Sequence, residues 1–469
     1  MTEPLVDDVV LRRTPAFVGV VGSITGLNVV ILALTLISSP LQARVLGPEG
    51  RGDLAAILVP VALLGTVCEM GVGAYVARAA ARGVSPARLL GTFAGLLSVA
   101  GLVMAALALP VVPVFTDDPT VRRWLVVGLL LLPLNLTGGV ISSLARGLEQ
   151  WRPWALSRLL YATAIVAGVV ALAAADTLRA GTVAALIAAA SALAMLPFAP
   201  LLHAVGRPRF ARDLIRPGLR FGVRAWLANL GGLNNERLEQ AILAALVSAR
   251  ELGLFAVSFD VANVSLVLSA SLGTALLPRL AAGQRDVLPR AVRTTLGVVA
   301  AGNLAFAVVA PVVLPLVLGD KYADAVPVVW VLLLAAVPLA GIVMLGPALV
   351  GFGRPGSTAL AEGCGLALTA GGLLVVLPLG AGVLGAALVA LSAYSVCFAL
   401  LLVSAVRHVG FAPRDYLFLR RGDLAWVWAE LRRRSRSPRA QGVTPAPTPI
   451  GTSRPRQRPT TRTPPGGRP

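Results

Sequence analysis

The stretch Leu233–Ala241 reads LNNERLEQA, and it lies between two apolar runs, GVRAWLANLGG before it and ILAALV after it. Its side chains can do ionic chemistry. Arg237 offers forked donors suited to phosphate or carboxylate oxygens. Glu236 and Glu239 can hold a proton or a cation, and Asn234, Asn235 and Gln240 can bind polar groups as donor or acceptor. Facing lipid, the three charges would together cost about 8–10 kcal/mol, at roughly 2.5–3.5 kcal/mol each. On a helix they and the amides sweep a broad arc that only Leu238 clearly breaks. Such a turn needs water, partner helices or substrate around it. Two readings fit. In one, Arg237, Asn234, Asn235 and Gln240 contact substrate in a central cavity while Glu236 and Glu239 bind the coupling cation. In the other, a buried Arg–Glu pair locks the helix against its neighbour. Gly231-Gly232, just ahead, is a place for that helix to kink or unwind.

The elements that position this turn are written in the composition. The 469 residues are 57% hydrophobic and only 13% charged, against about 25% charged in soluble proteins. Apolar runs of about 20 residues recur, each able to cross a bilayer core of roughly 30 Å. The fold class expected is an all-α integral membrane protein. About twelve spans are predicted, roughly at 15–39, 53–77, 88–112, 122–144, 154–175, 181–203, 219–247, 251–277, 292–318, 325–350, 357–379 and 381–406. The run after Arg12 and Arg13 is too long for a signal-peptide core and is read as an uncleaved first span.

Arginines set the orientation. Lys321 is the single lysine, so the +19 charge is nearly all arginine. Counting loops from the N-terminus, the even ones hold Arg78, Arg82 and Arg88, then Arg146, Arg152 and Arg158, then Arg207 to Arg216, then Arg279, Arg285 and Arg290, then Arg354. The odd loops are sparser, apart from the first, with Arg44 and Arg51. The positive-inside rule places both termini in the cytoplasm of a cytoplasmic-membrane protein.

The two halves echo each other. EGRGDLA aligns with ARELGLFA, Gly52 falling 201 residues before Gly253; Pro133 precedes Pro338 by 205, and Arg152 precedes Arg354 by 202. A six-span unit occurring twice keeps its orientation, so two pseudo-symmetric six-helix bundles are expected, related by an axis along the membrane normal. Secondary transporters are often built this way, with the substrate site between repeats. The divisions expected are a cytoplasmic N-terminus (1–14), a first bundle (15–203), a basic linker (204–218), a second bundle (219–406), a basic amphipathic segment on the membrane face (407–434) and a disordered Pro/Arg-rich tail (435–469).

Several function classes are disfavoured. Cys68, Cys364 and Cys397 fall in apolar runs, and His203 and His408 sit at span ends without metal-ligand spacing. No nucleotide-binding loop or nucleophile–His pair is present, so no enzyme, cofactor or metal is expected. A membrane glycosyltransferase would need outer acidic residues, and Asp117-Asp118 in a short loop is the one acidic pair there. On an inner-leaflet protein lipid headgroups are nearer anions than nucleic acid, and no nucleic-acid partner is expected.

Two segments carry a family resemblance. QARVLGPEGRGDLA (Gln42–Ala55) is similar to an "AR-x-LGP-x-G-x-G" turn between spans one and two, and LNNERLEQAILAALVSARELGLFAVS (Leu233–Ser258) to an "N-x-RLDQ…LG-x-YA-x-A" pattern across spans seven and eight. Both are features of the Wzx-type polysaccharide flippases of the multidrug/oligosaccharidyl-lipid/polysaccharide (MOP) exporter superfamily, which the chain resembles over about 15–410. Glu239 stands where that family often has Asp, and Phe255 where it often has Tyr. The resemblance implies alternating access in a two-lobed bundle. It implies an undecaprenyl- or decaprenyl-pyrophosphate-linked glycan as substrate, membrane lipids as surroundings, and a polysaccharide polymerase and glycosyltransferases as working partners. Arg44 and Arg51 would then meet the headgroup at the outer mouth; the alternative is that they cap helix carbonyls. Lipid II flippases of the superfamily typically have two more spans. Its multidrug exporters use an acidic cation site, for which Glu236, Glu239 and Asp260 are the candidates. A non-transporting scaffold for glycan enzymes is the remaining rival.

Overall fold

The computed structural model describes residues 17–227, 233–266, 269, 286–420 and 422–423, with side chains from Gly26 onward except at 227, 233–237 and 355. Among these residues all regular structure is helical. The first half comprises α1 (Phe17–Glu69), α2 (Val72–Ala81), α3 (Pro86–Ala108), α4 (Val112–Phe115), α5 (Pro119–Leu130), α6 (Leu132–Gly147), α7 (Trp151–Ala174), α8 (Ala180–Leu193) and α9 (Ala199–Val205). The second comprises α10 (Ile215–Leu227), α11 (Leu233–Leu246), α12 (Ala249–Asn263), α13 (Val287–Leu318), α14 (Val326–Gly351), α15 (Pro355–Val376), α16 (Gly382–Val409) and α17 (Pro413–Leu417). These belong to a unit that runs through Leu419; a second unit begins at Arg420.

Eight of the described helices are long and apolar enough to cross a membrane, and α5 with α6, bent by 43°, makes a ninth. The hinged α1 counts once there although it supplies two crossings, and the polar α10–α11 segment and α12 fall outside the hydropathy test. The tally is thus compatible with twelve. Leu304, Val308, Val312 and Leu316, at helical spacing of four on α13, are each at least 70% exposed. An apolar stripe of that kind belongs against acyl chains, not water. The first half packs around Val72, Val76, Leu89, Phe93, Leu144 and Phe198, all buried. The second packs around α14, two-thirds of whose apolar window is buried. There the Asn303 side chain donates to the Leu333 carbonyl at 2.7 Å and ties α13 to α14.

The first two spans differ from expectation. A loop is expected between the spans at 15–39 and 53–77, but the helix runs through Pro40, and the break is confined to Gly47, at φ 67° and ψ 178°. Pro48 then starts the second arm, where its missing N–H costs nothing. One turn before this break, the Tyr322 hydroxyl donates to the carbonyl of Ala43 at 3.2 Å. Of the seventh crossing, α10 (Ile215–Leu227) and α11 (Leu233–Leu246) are described. Gly231-Gly232 lies outside the described residues. Gly218 of α10 packs on Phe93 and Tyr75, and Phe221 lies under the Arg78 guanidinium at 4.8 Å. Thus α10 docks on the first half.

The repeat is visible in backbone geometry. α6 ends at Gly147 and α7 begins at Trp151; α14 ends at Gly351 and α15 begins at Pro355. Each turn has a left-handed residue at the same place, Glu149 (φ 55°) and Gly353 (φ 77°). Each closes with the same long-reach bond, Gln150 N–H to Ala145 O at 2.8 Å and Arg354 N–H to Leu349 O at 2.9 Å, the signature of a Schellman cap. The next turn repeats this with Asp176 (φ 54°) and Gly380 (φ 80°). The register is therefore 204 residues here, correcting the 202 read from Arg152 and Arg354.

Candidate functional site: a cavity between the two halves

Gly47 sits at the end of the bundle where the halves touch most closely. A Cβ on Gly52 would overlap the Ala249 carbonyl, and a Cβ on Gly253 would overlap the Pro48 carbonyl. The 201-residue offset that relates Gly52 to Gly253 also relates Pro48 to Ala249. Each glycine therefore lies on the carbonyl one helical turn before the other, as a local two-fold axis requires, and only glycine permits the approach.

Beneath this crossing lies a cavity of about 900 Å³, walled by α1, α6, α7 and α8 of the first half and α12 of the second. A smaller chamber of about 480 Å³ adjoins it, sharing Asn135 and Ser191 and reaching Glu69. The charged residues among the described lining of the larger cavity are Arg51, Arg158 and Asp260. Arg51 and Asp260 form an ion pair across the two halves at 2.7 Å, with side chains 15% and 49% exposed. Arg51 also donates from Nη1 to the Gln42 side-chain oxygen at 3.2 Å, and its Nη2 lies 3.5 Å from the Ser39 hydroxyl. Its buried Nε has no partner among the described residues.

Arg158 lies farther along the same wall. Its Nη1 donates to Asn28 Oδ1 at 2.9 Å, and its guanidinium stands 5.0 Å from the centre of the Trp154 ring. Arg146 is close enough to add positive potential. Asn28 and Ser39 are eleven residues apart on α1, so the two guanidiniums attach about 17 Å apart along it, at about 1.5 Å per residue.

Other sequence candidates fall in different places. Arg44 is exposed outside the cavity, its Nη1 3.4 Å from the carbonyl of Leu316 in the last turn of α13. Glu239 and Gln240 are buried, Glu239 accepting from the Tyr394 hydroxyl at 3.2 Å within the second half, and neither lines the cavity. The side chains of Asn234, Asn235, Glu236 and Arg237 lie outside the described residues. Sequence reasoning gave Arg51 and Asp260 separate roles, substrate and cation, and did not foresee that they meet. In the sequence Arg158 reads as a loop arginine that sets orientation. The usable signal was that Arg158 falls inside an expected span, where an ionisable residue is presumptively functional. It also missed Glu362, an acid buried in the second half.

The solved structure of a lipid II flippase, MurJ, in an inward closed conformation is similar to the chain, with 13% identity, a TM-score of 0.68, and 87% of this chain and 92% of that one covered. A multidrug resistance transporter of the MATE family, inward-facing, matches with 12% identity, a TM-score of 0.62, and coverage of 80% and 94%. A MOP superfamily transporter from Pyrococcus furiosus matches with 13% identity, a TM-score of 0.56, and coverage of 85% and 99%. At such identities the likeness is one of fold, and the fold is that of the MOP superfamily. No curated protein matches the chain. The family model described as "Polysaccharide biosynthesis protein" matches residues 19–284, more than half of the sequence. This multi-pass membrane protein belongs to the polysaccharide biosynthesis protein family.

Proposed function

We propose that the protein carries a polyprenyl-pyrophosphate-linked oligosaccharide from the inner to the outer leaflet of the cytoplasmic membrane by alternating access, for export of a polysaccharide or other cell-wall glycan. The observation that carries this reading is the cavity between pseudo-symmetric halves, with two arginines on one wall and a glycine crossing sealing the end above Arg51. A diphosphate is the part of such a substrate that acyl chains exclude most strongly, and guanidinium forks suit it. With both termini cytoplasmic, the sealed Gly47 end faces outward and the cavity belongs to an inward state. Arg51 then contacts the headgroup late in its passage, with Arg237, Asn234 and Asn235 as further contacts from the second half; Gln240, buried off the cavity, is not among them. Arg44, held at the end of α13, serves the outer mouth. Glu236, Glu239 and Asp260 are the candidates for a coupling proton or sodium ion. Glycosyltransferases that load the carrier and a polymerase that receives it are the expected partners.

The test is reconstitution of the full chain in proteoliposomes with a fluorescent polyprenyl-pyrophosphate oligosaccharide on one leaflet. Protein-dependent transfer is expected, with loss in Arg51→Gln despite normal insertion. A scaffold gives no transfer in either. Transport of cationic drugs in place of the glycan lipid would favour the multidrug reading and overturn this one.

A further inference from the structure

The two cavity arginines are not in equivalent states. Arg51 has its charge met by Asp260 at 2.7 Å, from the opposite half. Arg158 has no such partner: its contacts are a neutral amide, Asn28, and the face of Trp154. Among the described residues no carboxylate is within ion-pair distance of it, and Asp260 is the one acid on the cavity wall. A diphosphate has two phosphorus atoms joined by a single oxygen, so it cannot span guanidiniums about 17 Å apart along α1. Among the described residues of the cavity wall, Arg158 is therefore the one cation without a carboxylate partner that an anion can reach while the halves are joined at the Gly47 end.

We propose that Arg158 is a diphosphate-binding subsite that holds the anionic headgroup in the joined state, while Asp260 keeps Arg51 out of use until the halves part. The proposal rests on the reading of the protein as a carrier of polyprenyl-diphosphate-linked glycan, and it adds an order of events. The headgroup docks first at Arg158, where Trp154 fixes the guanidinium plane and Asn28 leaves the other donors available. Separation at the glycine crossing pulls Asp260, on the second half, away from Arg51, on the first. That frees a second cationic station nearer the opening end. The ion pair thus prevents both stations from competing for one anion.

The experiment measures binding of inorganic pyrophosphate, and in a parallel arm of a sugar-free polyprenyl diphosphate, to the full chain in nanodiscs without divalent cations. Arg158→Gln is expected to weaken both by about tenfold to a hundredfold, the loss of one or two charged hydrogen bonds, with Arg158→Lys between it and the wild type. Asn28→Ala, which cuts the same interhelical bond but keeps the cation, is expected to bind within about twofold of wild type. Arg51→Gln is expected to do likewise, and Asp260→Asn to bind more tightly. Three outcomes overturn the proposal: no binding by the wild type, full binding by Arg158→Gln, or an equal loss in Arg51→Gln or Asn28→Ala. If only the polyprenyl diphosphate binds, the site reads the lipid-linked form; binding of both assigns it to the diphosphate itself. The transfer assay separates this from the function. Wild-type transfer with Arg158→Gln at the wild-type rate removes the subsite alone, whereas pyrophosphate binding at Arg158 without transfer of any glycan lipid removes the carrier reading alone.

Discussion

Replacing Gly52 with alanine should push the protein out of its joined state. At Gly52 a Cβ would stand 2.6 Å from the Ala249 carbonyl carbon, and at Gly253 it would stand 2.7 Å from that of Pro48. Comfortable carbon–carbon contact is about 3.5–4.0 Å and the carbonyl oxygens lie nearer still, so the helices must separate by more than about 1 Å, and both obstructing groups are backbone that no rotamer change can move. Overpacking costs about 1–3 kcal/mol; the rigid partners put this case near 3 kcal/mol, about a hundredfold in the ratio of joined to parted molecules. The helix-forming advantage of alanine, about 0.5–1 kcal/mol, acts in both states and cancels. Gly253→Ala should match Gly52→Ala, because the crossing is reciprocal. The double variant should add less than the sum, since a second methyl costs little once the first has parted the chains. The assay is a spin-label distance distribution between Asp117→Cys in the first half and Asp320→Cys in the second, with Cys68, Cys364 and Cys397 replaced by serine. The longer-distance population should dominate in both variants, while Gly95→Ala, where nothing lies within 4 Å, should look like the parent. An unchanged distribution in both crossing variants would refute the claim that this contact seals the cavity.

Tyr322→Phe removes the donor to the Ala43 carbonyl and should shift the same distance distribution in the same direction, by about fivefold for a bond worth about 1 kcal/mol. Thr92 accepts from the Ala211 N–H at 2.9 Å, so Thr92→Val should expose the 207–216 linker, read as faster limited proteolysis there with little change in pyrophosphate binding. The Asp118 carboxyl caps α5 by accepting from the N–H groups of Thr120 and Val121, and those bonds hold it below its ordinary value. Its capping contribution is therefore present above the usual carboxylate range and is lost as pH falls through the depressed value. Asp118→Ala should speed amide exchange in the first turn of α5 at neutral pH, with the difference vanishing once Asp118 is protonated in the parent.

The fold was legible because a bilayer makes hydropathy nearly sufficient. Apolar runs located most crossings, and the repeat was readable because Gly52 and Gly253 are fixed by backbone contact, which tolerates no substitute. Where prediction slipped, the reason was local. A loop is expected between the first two spans, yet a membrane helix accommodates Pro40, and the whole change of direction is absorbed at Gly47. The seating of α10 on Phe93 and Tyr75 was not legible, because it depends on partners 125 or more residues away in sequence. The site was legible in its residue types but not in its pairing. Arg51 and Asp260 are 209 residues apart, and only the docking of α12 on α1 brings them together.

The repeat also clarifies what the charges are for. Across the halves the backbone devices recur, at Gly52 and Gly253 and at Glu149 and Gly353, but the ionic residues do not. Where the first half has Arg51, the second, 201 residues on, has Leu252; where the second has Asp260, the first has Val59. A fold that needed ion pairs only to clamp its halves could have kept both copies, doubling the clamp. Among the described residues one such pair is present, and it ties up one of the two arginines on the cavity wall. At the 204-residue register Arg158 on the cavity wall corresponds to Glu362, which is buried in the second half and lines no part of that cavity. The two halves thus share a scaffold and differ in charge, with arginines on the cavity wall in the first half and an acid packed inside the second. A cavity wall with two arginines and one aspartate among its described residues favours an anion over a cation, the sign that the proposed diphosphate carrier requires and an exporter of cationic drugs does not.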